Sequence, residues 1–313
     1  MAKRPASKSP SASRKPPVSA KNGRPAGLFT WLAVGLVVVV VVALVIIKVT
    51  SGSPSTKGTS NFQATSATVA SELSHVPASV FNAVGVTSPV APVNPPVEVK
   101  NQPALTATSS SGATLPEVLY VGAEYCPYCA AERWATIIAL SRFGTFSGLG
   151  DMTSSSIDVY PSTPTFTFVD ATYKSKYLVF KSVEEYTNIS DAATSFYTPL
   201  QKPTAAEKAN FQKYDVSTYF PGETSQDNGA IPYISYGNKF LDSGASYSPA
   251  TLANLSRDSI AAGLNQPSNP VTQAIIASAN YQTAALCVLT NNKPANVCTS
   301  AGVMAAKSAM GIK

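Results

Sequence analysis

The chain has 313 residues and a net charge of +6, from 23 basic and 17 acidic residues. Seven of the basic residues fall within the first 27 residues, which contain no acidic residue, so 16 basic and 17 acidic residues remain elsewhere. The positive charge therefore belongs to a tail and not to the main domain, which argues against a nucleic-acid-binding face. We predict that residues 1–27 are a disordered cytoplasmic tail, because basic residues typically flank a membrane span on its cytoplasmic side.

An uncharged apolar segment follows the tail. It starts at Leu28, ends at Ile47 and is closed by Lys48, which makes twenty residues without a charge. A helix of that length crosses a hydrocarbon core of about 30 Å. A cleaved signal peptide would have a shorter apolar core, of about 7–15 residues, and an A-x-A-like cleavage site, which the residues after Lys48 lack. We expect residues 28–48 to be an uncleaved single-pass anchor that places the remaining chain outside the cytoplasm.

The part beyond the anchor is expected to be a linker and one domain. Residues 49–65 are rich in Ser, Thr and Gly and are assigned to the linker, and residues 66–313 to the domain. Residues 69–85 have a partly helical spacing of apolar residues that Pro77 interrupts. A short strand is plausible at residues 97–99.

Four further elements are predicted in the first half of the domain. The apolar run 115–121 predicts a strand, and residues 127–142 are mostly helix formers. Residues 164–169 and 177–180 have strand character, and the turn between them predicts a hairpin.

The second half of the domain is predicted to contain several helices and one hairpin. Residues 204–214 predict a polar surface helix. Residues 229–240 predict a hairpin, because Gly237-Asn238 separates two apolar runs. Ser248 followed by Pro249 predicts the start of one helix, and Asn269 followed by Pro270 the start of another that reaches about residue 286.

The strand at 115–121 leads to Cys126-Pro127-Tyr128-Cys129 and the following helix. A Cys-x-x-Cys pair at the first turn of a helix is the thioredoxin arrangement, in which the helix N-terminus stabilises a thiolate at the first cysteine. We expect Cys126 to be the exposed nucleophile and Cys129 to be the shielded resolving thiol.

The motif also has two other interpretations, a zinc site and a fixed structural disulfide. Zinc would need Cys287 and Cys298 as further ligands, but ten residues separate them, more than the usual two to four or so. His75 is the only histidine, and we predict that it is a surface residue. In an oxidising compartment the short spacings favour the pairs Cys126–Cys129 and Cys287–Cys298, the second as a structural disulfide.

Two residues outside the cysteine pair are candidates for the site. Pro232 opens a predicted strand, and in thioredoxin-like folds a cis-proline at such a position faces the cysteines; we predict that it is cis. Glu124 could relay a proton near the thiols, although a solvated loop carboxylate is the simpler interpretation. Glu132 and Arg133 are expected to be solvated helix charges or ion-pair partners, and Trp134 to be a core residue. No cofactor and no metal are predicted.

Several long segments resemble one family, the domain-of-unknown-function 929 family. These segments are EYCPYCAAERW (residues 124–134), ALSRFGTF (139–146), VYP (159–161), PTF (164–166) and YKSKY (173–177). The resemblance covers about residues 66–308 and implies a membrane-tethered, thioredoxin-like domain. The RFGTF part is expected either to pack the helix end against an insertion or to line a substrate groove.

The predicted fold class is therefore α/β: a thioredoxin-like fold with insertions, preceded by a single transmembrane helix and a disordered basic tail. Our first functional hypothesis is a membrane-anchored extracytoplasmic thiol–disulfide oxidoreductase that acts on protein thiols with an unknown redox partner. The alternative is a non-catalytic binding or assembly domain that keeps the fold and an inert disulfide, which burial of Cys126 would favour. The sequence leaves open whether the chain is an enzyme.

Overall fold

A computed structural model describes residues 63–90 and 92–312. The predicted tail and anchor, residues 1–48, lie outside the described residues, as does most of the predicted linker. None of the helices in the described part combines the length and apolar character that a membrane crossing requires.

The described residues form a mixed α/β structure of thirteen strands and eight α-helices. The strands are β1 Gln63–Ala64, β2 Val97–Glu98, β3 Thr106–Thr108, β4 Thr114–Gly122, β5 Gly144–Ser147, β6 Gly150–Thr153, β7 Pro164–Thr167, β8 Thr172–Ser175, β9 Val179–Glu184, β10 Tyr186–Asp191, β11 Phe196–Pro199, β12 Tyr233–Tyr236 and β13 Phe240–Ser243. The helices are α1 Ala67–Ser74, α2 Ala78–Val84, α3 Pro127–Ser141, α4 Ala205–Tyr214, α5 Arg257–Gly263, α6 Pro270–Leu289, α7 Ala295–Cys298 and α8 Ala301–Ala309, with a 3₁₀-helix at Pro249–Leu252.

The central sheet is built around β4. On one edge β12 runs antiparallel to it, and β13 and β2 continue the sheet outward. Strand β9 pairs with β4 in parallel, from Glu117 opposite Val179 to Gly122 opposite Glu184. Strand β3 pairs antiparallel with the first residues of β4. Because β4 is paired with a strand on each side, its last residue, Gly122, has a fixed position at one end of the sheet.

Helices cover both faces of this sheet, because β4 is apolar on both sides. Val118 and Tyr120 face the core formed with α3 and α6, where Trp134 is fully buried as predicted. Leu119 and Val121 face a smaller core. Tyr214 of α4 belongs to that core, so the predicted polar helix is present, with its last residue buried.

The predicted hairpin between residues 164–169 and 177–180 is wrong. Strand β7 pairs with β6, and β8 pairs with β5. The second predicted strand is displaced to β9, where parallel pairing with β4 buries Val183 and Glu184 in the middle of the molecule. Parallel partners are joined by long crossovers, so the local turn signal pointed to the wrong neighbour.

The helix predicted from Ser248 is divided in two. Ser248 caps the 3₁₀-helix at Pro249–Leu252, and Ser256 starts α5 with its own capping box. Asn254, at φ 61°, separates them. In the N-terminal part, residues 69–85 form α1 and α2, interrupted at Pro77 as the sequence predicts. The predicted linker extends to residue 65, but β1, at residues 63–64, already pairs with β6.

The predictions with strong local signals are confirmed. The β12–β13 hairpin turns at Gly237 and Asn238, which have φ values of 62° and 55°. Two consecutive positive φ values characterise the type I′ hairpin turn. Helix α6 begins after Asn269, whose side chain accepts hydrogen bonds from the first-turn N–H groups.

Candidate active site

The two cysteines of the motif lie where β4 ends and α3 begins. Cys126 is the N-cap residue of α3, Pro127 is the first helical residue, and the Cys126 sulfur accepts a hydrogen bond from the Cys129 backbone N–H at 3.3 Å. The capping role places the Cys126 sulfur at the positive end of a fifteen-residue helix. In this structure both residues are thiols, not the predicted disulfide pair.

Ile231, the residue before Pro232, contacts Cys126 although it lies 105 positions further along the chain. The Ile231–Pro232 peptide bond is cis, as predicted. The Cys126 thiol donates to the Ile231 carbonyl oxygen at 3.6 Å. The register of β12 with β4 sets this contact. It places Tyr233, the first residue of β12, opposite Val121, which lies one residue before the end of β4. The structure thus brings together the two motifs that the sequence paired.

The expected exposure of Cys126 is wrong, since only 5% of the residue is accessible and Cys129 is fully buried. An aromatic cover, defined here as Tyr186, Phe196 and Tyr197 of the β10–β11 hairpin, packs around the motif. The Tyr197 ring stacks on Tyr125 at a centroid distance of 4.1 Å. The sequence analysis did not predict this hairpin. Its three aromatic residues, one in β10 and two in β11, could have indicated a buried element here.

Burial dominates the acidity of Cys129. It raises the pKa of the Cys129 thiol well above its usual range, and the hydrogen bond with Cys126 acts in the same direction. The positive charge of Arg133 acts in the opposite direction. Cys129 is therefore a protected thiol that needs electrostatic help to react.

Glu124 is not the solvated loop carboxylate that the simpler interpretation expected. Its residue is 0% exposed, and its Oε1 accepts a hydrogen bond from the Thr167 hydroxyl at 2.7 Å. Its backbone N–H donates to the Tyr186 carbonyl at 2.9 Å, which ties the motif loop to the aromatic cover. A role in proton relay stays a prediction.

Arg133 and Glu184 form an ion pair whose side chains are both 0% exposed. Arg133 Nε and Nη2 donate to the two Glu184 oxygens at 2.9 and 2.6 Å, and Nη2 also donates to the Ala123 carbonyl at 2.8 Å. The expectation of a solvated charge is wrong for Arg133, and that of an ion pair is confirmed. Sequence reasoning missed Glu184 because its partner lies 51 residues away.

Glu132 is also buried, on the face of α3 toward α6. Its carboxylate accepts from the Ser246 N–H and hydroxyl at 2.8 and 2.7 Å and from Gln282 Nε2 at 2.6 Å. Burial raises the pKa of Glu132 to about 7 against the lowering effect of these bonds. The neighbouring Asp242 also has its pKa raised well above the usual range by burial and by the Glu132 charge. Solvation of Glu132 was therefore a wrong expectation.

Cys287 and Cys298 form a disulfide, with a sulfur–sulfur distance of 2.01 Å. The pair joins the end of α6 to α7 and is fully buried. Both sulfurs are thus bonded to each other and unavailable as zinc ligands. Among residues 63–90 and 92–312, no group of three or more His, Cys, Asp or Glu side chains is arranged to hold a metal ion.

The RFGTF segment has a packing role at its first residue. Arg142 donates to Asn280, Thr283 and Ser300 at 3.2–3.3 Å. Its guanidinium also lies 4.0 Å from the centroid of the Phe81 ring. Of the two expectations for this segment, the contacts of Arg142 fit the first, because they join the end of α3 to α2, α6 and α8.

Comparison with known proteins gives one match. The family described as Domain of unknown function (DUF929) matches residues 104–288, which is more than half of the chain. No curated protein and no solved structure shows significant similarity to the chain. The matched region begins before β4, ends within α6 and contains both halves of the site, Cys126-Pro127-Tyr128-Cys129 and Pro232. The chain therefore belongs to the DUF929 family.

Proposed function

We propose that this protein is a membrane-anchored, extracytoplasmic thiol–disulfide oxidoreductase that acts on protein thiols. The observation that carries the proposal is the 3.6 Å contact between the Cys126 sulfur and the Ile231 carbonyl next to Pro232. A cysteine that lies against a backbone segment suits exchange with a peptide, since the peptide must present its own backbone and sulfur together.

The order of the central elements supports a thioredoxin-like fold. The strands β9, β4, β12 and β13 are neighbours in that order, with β9 parallel to β4 and β12 antiparallel to it. The cysteine pair follows β4, and Pro232 immediately precedes β12. Helices α3 and α6 cover one face and α4 the other, and the remaining strands are insertions in this interpretation.

The proposed exchange has two steps. The Cys126 thiolate attacks one sulfur of a substrate disulfide; a Cys126–substrate bond forms, and the second substrate sulfur leaves as a thiolate and takes up a proton from water. Cys129 then loses its proton, for which buried Glu124 is the proposed acceptor, and attacks the Cys126 sulfur. The Cys126–Cys129 disulfide forms, and the first substrate sulfur leaves as a thiolate that takes up the proton Glu124 had accepted. Two electrons have passed to the substrate disulfide; run backward, the same steps oxidise a substrate dithiol.

The surface around the motif favours a protein substrate over a small polar thiol. Ile157 and Val159 are 75% and 54% exposed, and both lie on the loop after β6. This loop is held against the motif by the Ser155 N–H, which donates to the Tyr125 carbonyl at 2.8 Å. Exposed apolar side chains next to a reactive group suit an apolar segment of another protein.

The membrane anchor and the extracytoplasmic location remain proposals that rest on the sequence. The apolar run between Leu28 and Ile47 and the basic residues before it support them. An oxidising compartment also suits a buried Cys287–Cys298 disulfide.

The test is to trap the mixed disulfide with the full-length chain in detergent. With Cys129→Ser, the second step cannot occur, so a disulfide-containing model protein should stay attached to Cys126. Cys126→Ser should give no adduct, and the wild-type chain should release the reduced protein. Exchange with the protein should be faster than exchange with oxidised glutathione. If Cys129→Ser forms no adduct, although Cys126 reacts with an alkylating agent after denaturation, the proposal is wrong.

One observation favours a second candidate function, a non-catalytic binding or assembly domain. Cys126 is only 5% exposed and lies under the aromatic cover. A domain of this kind would keep the motif for packing alone. The same trapping experiment decides, because such a domain would give no adduct with any disulfide under native conditions.

A further inference from the structure

Two buried donor groups near Cys129 have no hydrogen-bond acceptor among the described residues. They are Arg133 Nη1 and the Tyr120 hydroxyl. Both residues are 0% exposed, so water at the surface does not satisfy them. A buried donor without an acceptor destabilises a fold, and in a native structure it calls for an explanation such as a catalytic role.

The fold places Arg133 and Tyr120 close to the cysteine pair. Arg133 follows Cys129 by four residues on α3, which puts the two side chains on one helix face with about 5–6 Å between their Cβ atoms. Arg133 Nη2 holds the carbonyl of Ala123, a residue that packs in one cluster with Cys126 and Cys129. The Tyr120 ring lies 5.7 Å from the Arg133 guanidinium carbon.

Gly122 makes room for this arrangement. A Cβ atom at position 122 would overlap the Tyr120 hydroxyl. The phenol of Tyr120 therefore lies over the glycine that ends β4, close to where the chain turns into the motif. The fold leaves space at this point for a polar group that it does not pair.

The second step of the proposed reaction creates a charge here. Cys129 must lose its proton inside the protein, where burial disfavours the thiolate. The titratable and charged groups that interact with Cys129 are Cys126, Arg133, Glu184, Tyr120 and Tyr125. Arg133 is the only cation among them, and its interaction favours the thiolate.

We propose that Arg133 is a positioning residue for the resolving step: held by Glu184, it stabilises the Cys129 thiolate, and its Nη1 together with the Tyr120 hydroxyl supplies the donors for that charge. Glu184 fixes the guanidinium by two parallel hydrogen bonds, which leave Nη1 free to donate elsewhere. This inference rests on the proposed function, because only a resolving cysteine needs to become a thiolate at this position.

A purely structural ion pair predicts something different. If Arg133 and Glu184 only pack α3 against β9, then removing either partner destabilises the fold and leaves the acidity of Cys129 unchanged. An electrostatic role instead predicts that the two substitutions shift the pKa of Cys129 in opposite directions, because one removes a positive charge and the other a negative charge.

The experiment measures the pKa of Cys129 in the full-length chain with isotopically labelled cysteine, from the Cβ chemical shift as pH is varied. The background is Cys126→Ser, which leaves Cys129 as the one thiol of the four cysteines when Cys287 and Cys298 are paired. Arg133→Met should raise the pKa by about one pH unit or more, and Glu184→Gln should lower it by a similar amount. Arg142→Met is the matched control, since Arg142 is a packed arginine at the C-terminal end of the same helix, with contacts away from the cysteines.

A second measurement follows the resolving step. In the chain with both cysteines, Arg133→Met should lengthen the lifetime of the Cys126 mixed disulfide about tenfold near neutral pH, because a shift of one pH unit lowers the thiolate fraction tenfold. Glu184→Gln keeps a neutral acceptor of the same shape, so it tests the inference even if Arg133→Met does not fold. Shifts of the same sign, or no shift in Glu184→Gln, would overturn the inference.

The two levels of the argument fail separately. If Cys129→Ser traps no mixed disulfide at all, the proposed function is wrong. If Cys129→Ser traps the adduct and the wild-type chain exchanges disulfides normally, while the pKa of Cys129 does not respond to Glu184→Gln, the function stands and the role of Arg133 is wrong.

Discussion

At the scale of single residues, the side of α3 that packs against α6 carries an unusual acid. Glu132 is fully buried and accepts three hydrogen bonds, yet burial still raises its pKa to about 7. Asp242 lies close enough for the Glu132 charge to raise its pKa, after burial as the larger cause, and it accepts a hydrogen bond from the Tyr236 hydroxyl at 2.7 Å. Two carboxyl groups in one buried site cannot both ionise without a large unfavourable free energy. The core is therefore most stable with protons on this pair.

This arrangement predicts that stability falls as pH rises from about 4.5 to about 7. The Glu132 carboxyl has its reference pKa of 4.5 in the unfolded chain and a pKa of about 7 in the folded one, so the folded state binds the proton more tightly. The free energy of unfolding is then greatest below pH 4.5 and decreases through this window, by roughly 3 kcal/mol for this one group. Urea unfolding of the full-length chain at several pH values measures the slope.

Glu132→Gln should make the slope shallower. The amide oxygen can still accept from Ser246, and Gln282 can rotate its own amide to accept from the new NH₂ group. The slope should not vanish, because burial raises the pKa of Glu185 and Glu223 to about 7 as well. Glu98→Gln, at an exposed position, is the control and should leave the slope as it is. An unchanged slope in Glu132→Gln would mean that this carboxyl does not titrate in the window.

At the scale of elements, the β10–β11 hairpin decides access to Cys126. Among the residues that the structure describes, β10 and β11 pair only with each other, and their register shifts between Tyr186 and Ser190. The hairpin is attached to the site by Tyr125, which packs against Tyr197 and Phe196, and by the backbone hydrogen bond from Glu124 to Tyr186. A two-stranded hairpin is marginally stable alone, so this element is suited to open while the central sheet stays intact.

Tyr197→Ala should therefore increase the rate at which native Cys126 is alkylated. An aromatic pair contributes about 0.5–1.5 kcal/mol beyond its buried area, which corresponds to about a 2- to 10-fold larger population of the open hairpin. The rate is followed by mass spectrometry on the reduced full-length chain. Tyr177→Ala removes an aromatic residue that contacts Phe143 instead, and it should leave the rate unchanged. Equal rates in wild type and Tyr197→Ala would show that the hairpin does not limit access.

The elements also show what the sequence could predict. Strand β4, helix α3 and the β12–β13 hairpin have local signals, namely an apolar run, an N-terminal proline and a Gly-Asn turn, and all three were predicted. Strand β9 was assigned to the wrong partner because its parallel pairing with β4 spans a crossover of more than fifty residues. Glu184 and the aromatic cover were missed for the same reason, since non-local packing decides which charges and rings meet at Cys129.

At the scale of the whole molecule, segments outside the family match are built into the same core. Residues 104–288 include β4, α3 and most of α6, but not α1, α2, α7 or α8. Arg142 contacts Phe81 on one side and Ser300 on the other, while it also binds Asn280 and Thr283 within the matched region. The Cys287–Cys298 disulfide crosses the C-terminal border of the match. The folding unit is therefore larger than the matched region.

The position of that unit relative to a membrane is the remaining question at this scale. The proposed anchor requires the basic tail and the folded unit to lie on opposite sides, because seven basic residues precede the apolar run and none of the first 27 residues is acidic. Two variants with one free thiol each test this in intact cells, both in a Cys126→Ser, Cys129→Ser background that keeps the Cys287–Cys298 disulfide. Ser110→Cys lies at an exposed turn of the folded unit, and Ser9→Cys lies in the tail.

A membrane-impermeant maleimide should label Ser110→Cys in intact cells and Ser9→Cys only after permeabilisation. The chain should also remain with the membranes in alkaline carbonate, as expected for about twenty apolar residues that span the bilayer. Release of the chain by carbonate would instead indicate a cleaved or peripheral segment. Labelling of Ser9→Cys from outside would reverse the orientation and place the cysteine pair in a reducing compartment, where Cys126 and Cys129 would be held as thiols and exchange would run toward reduction of the substrate.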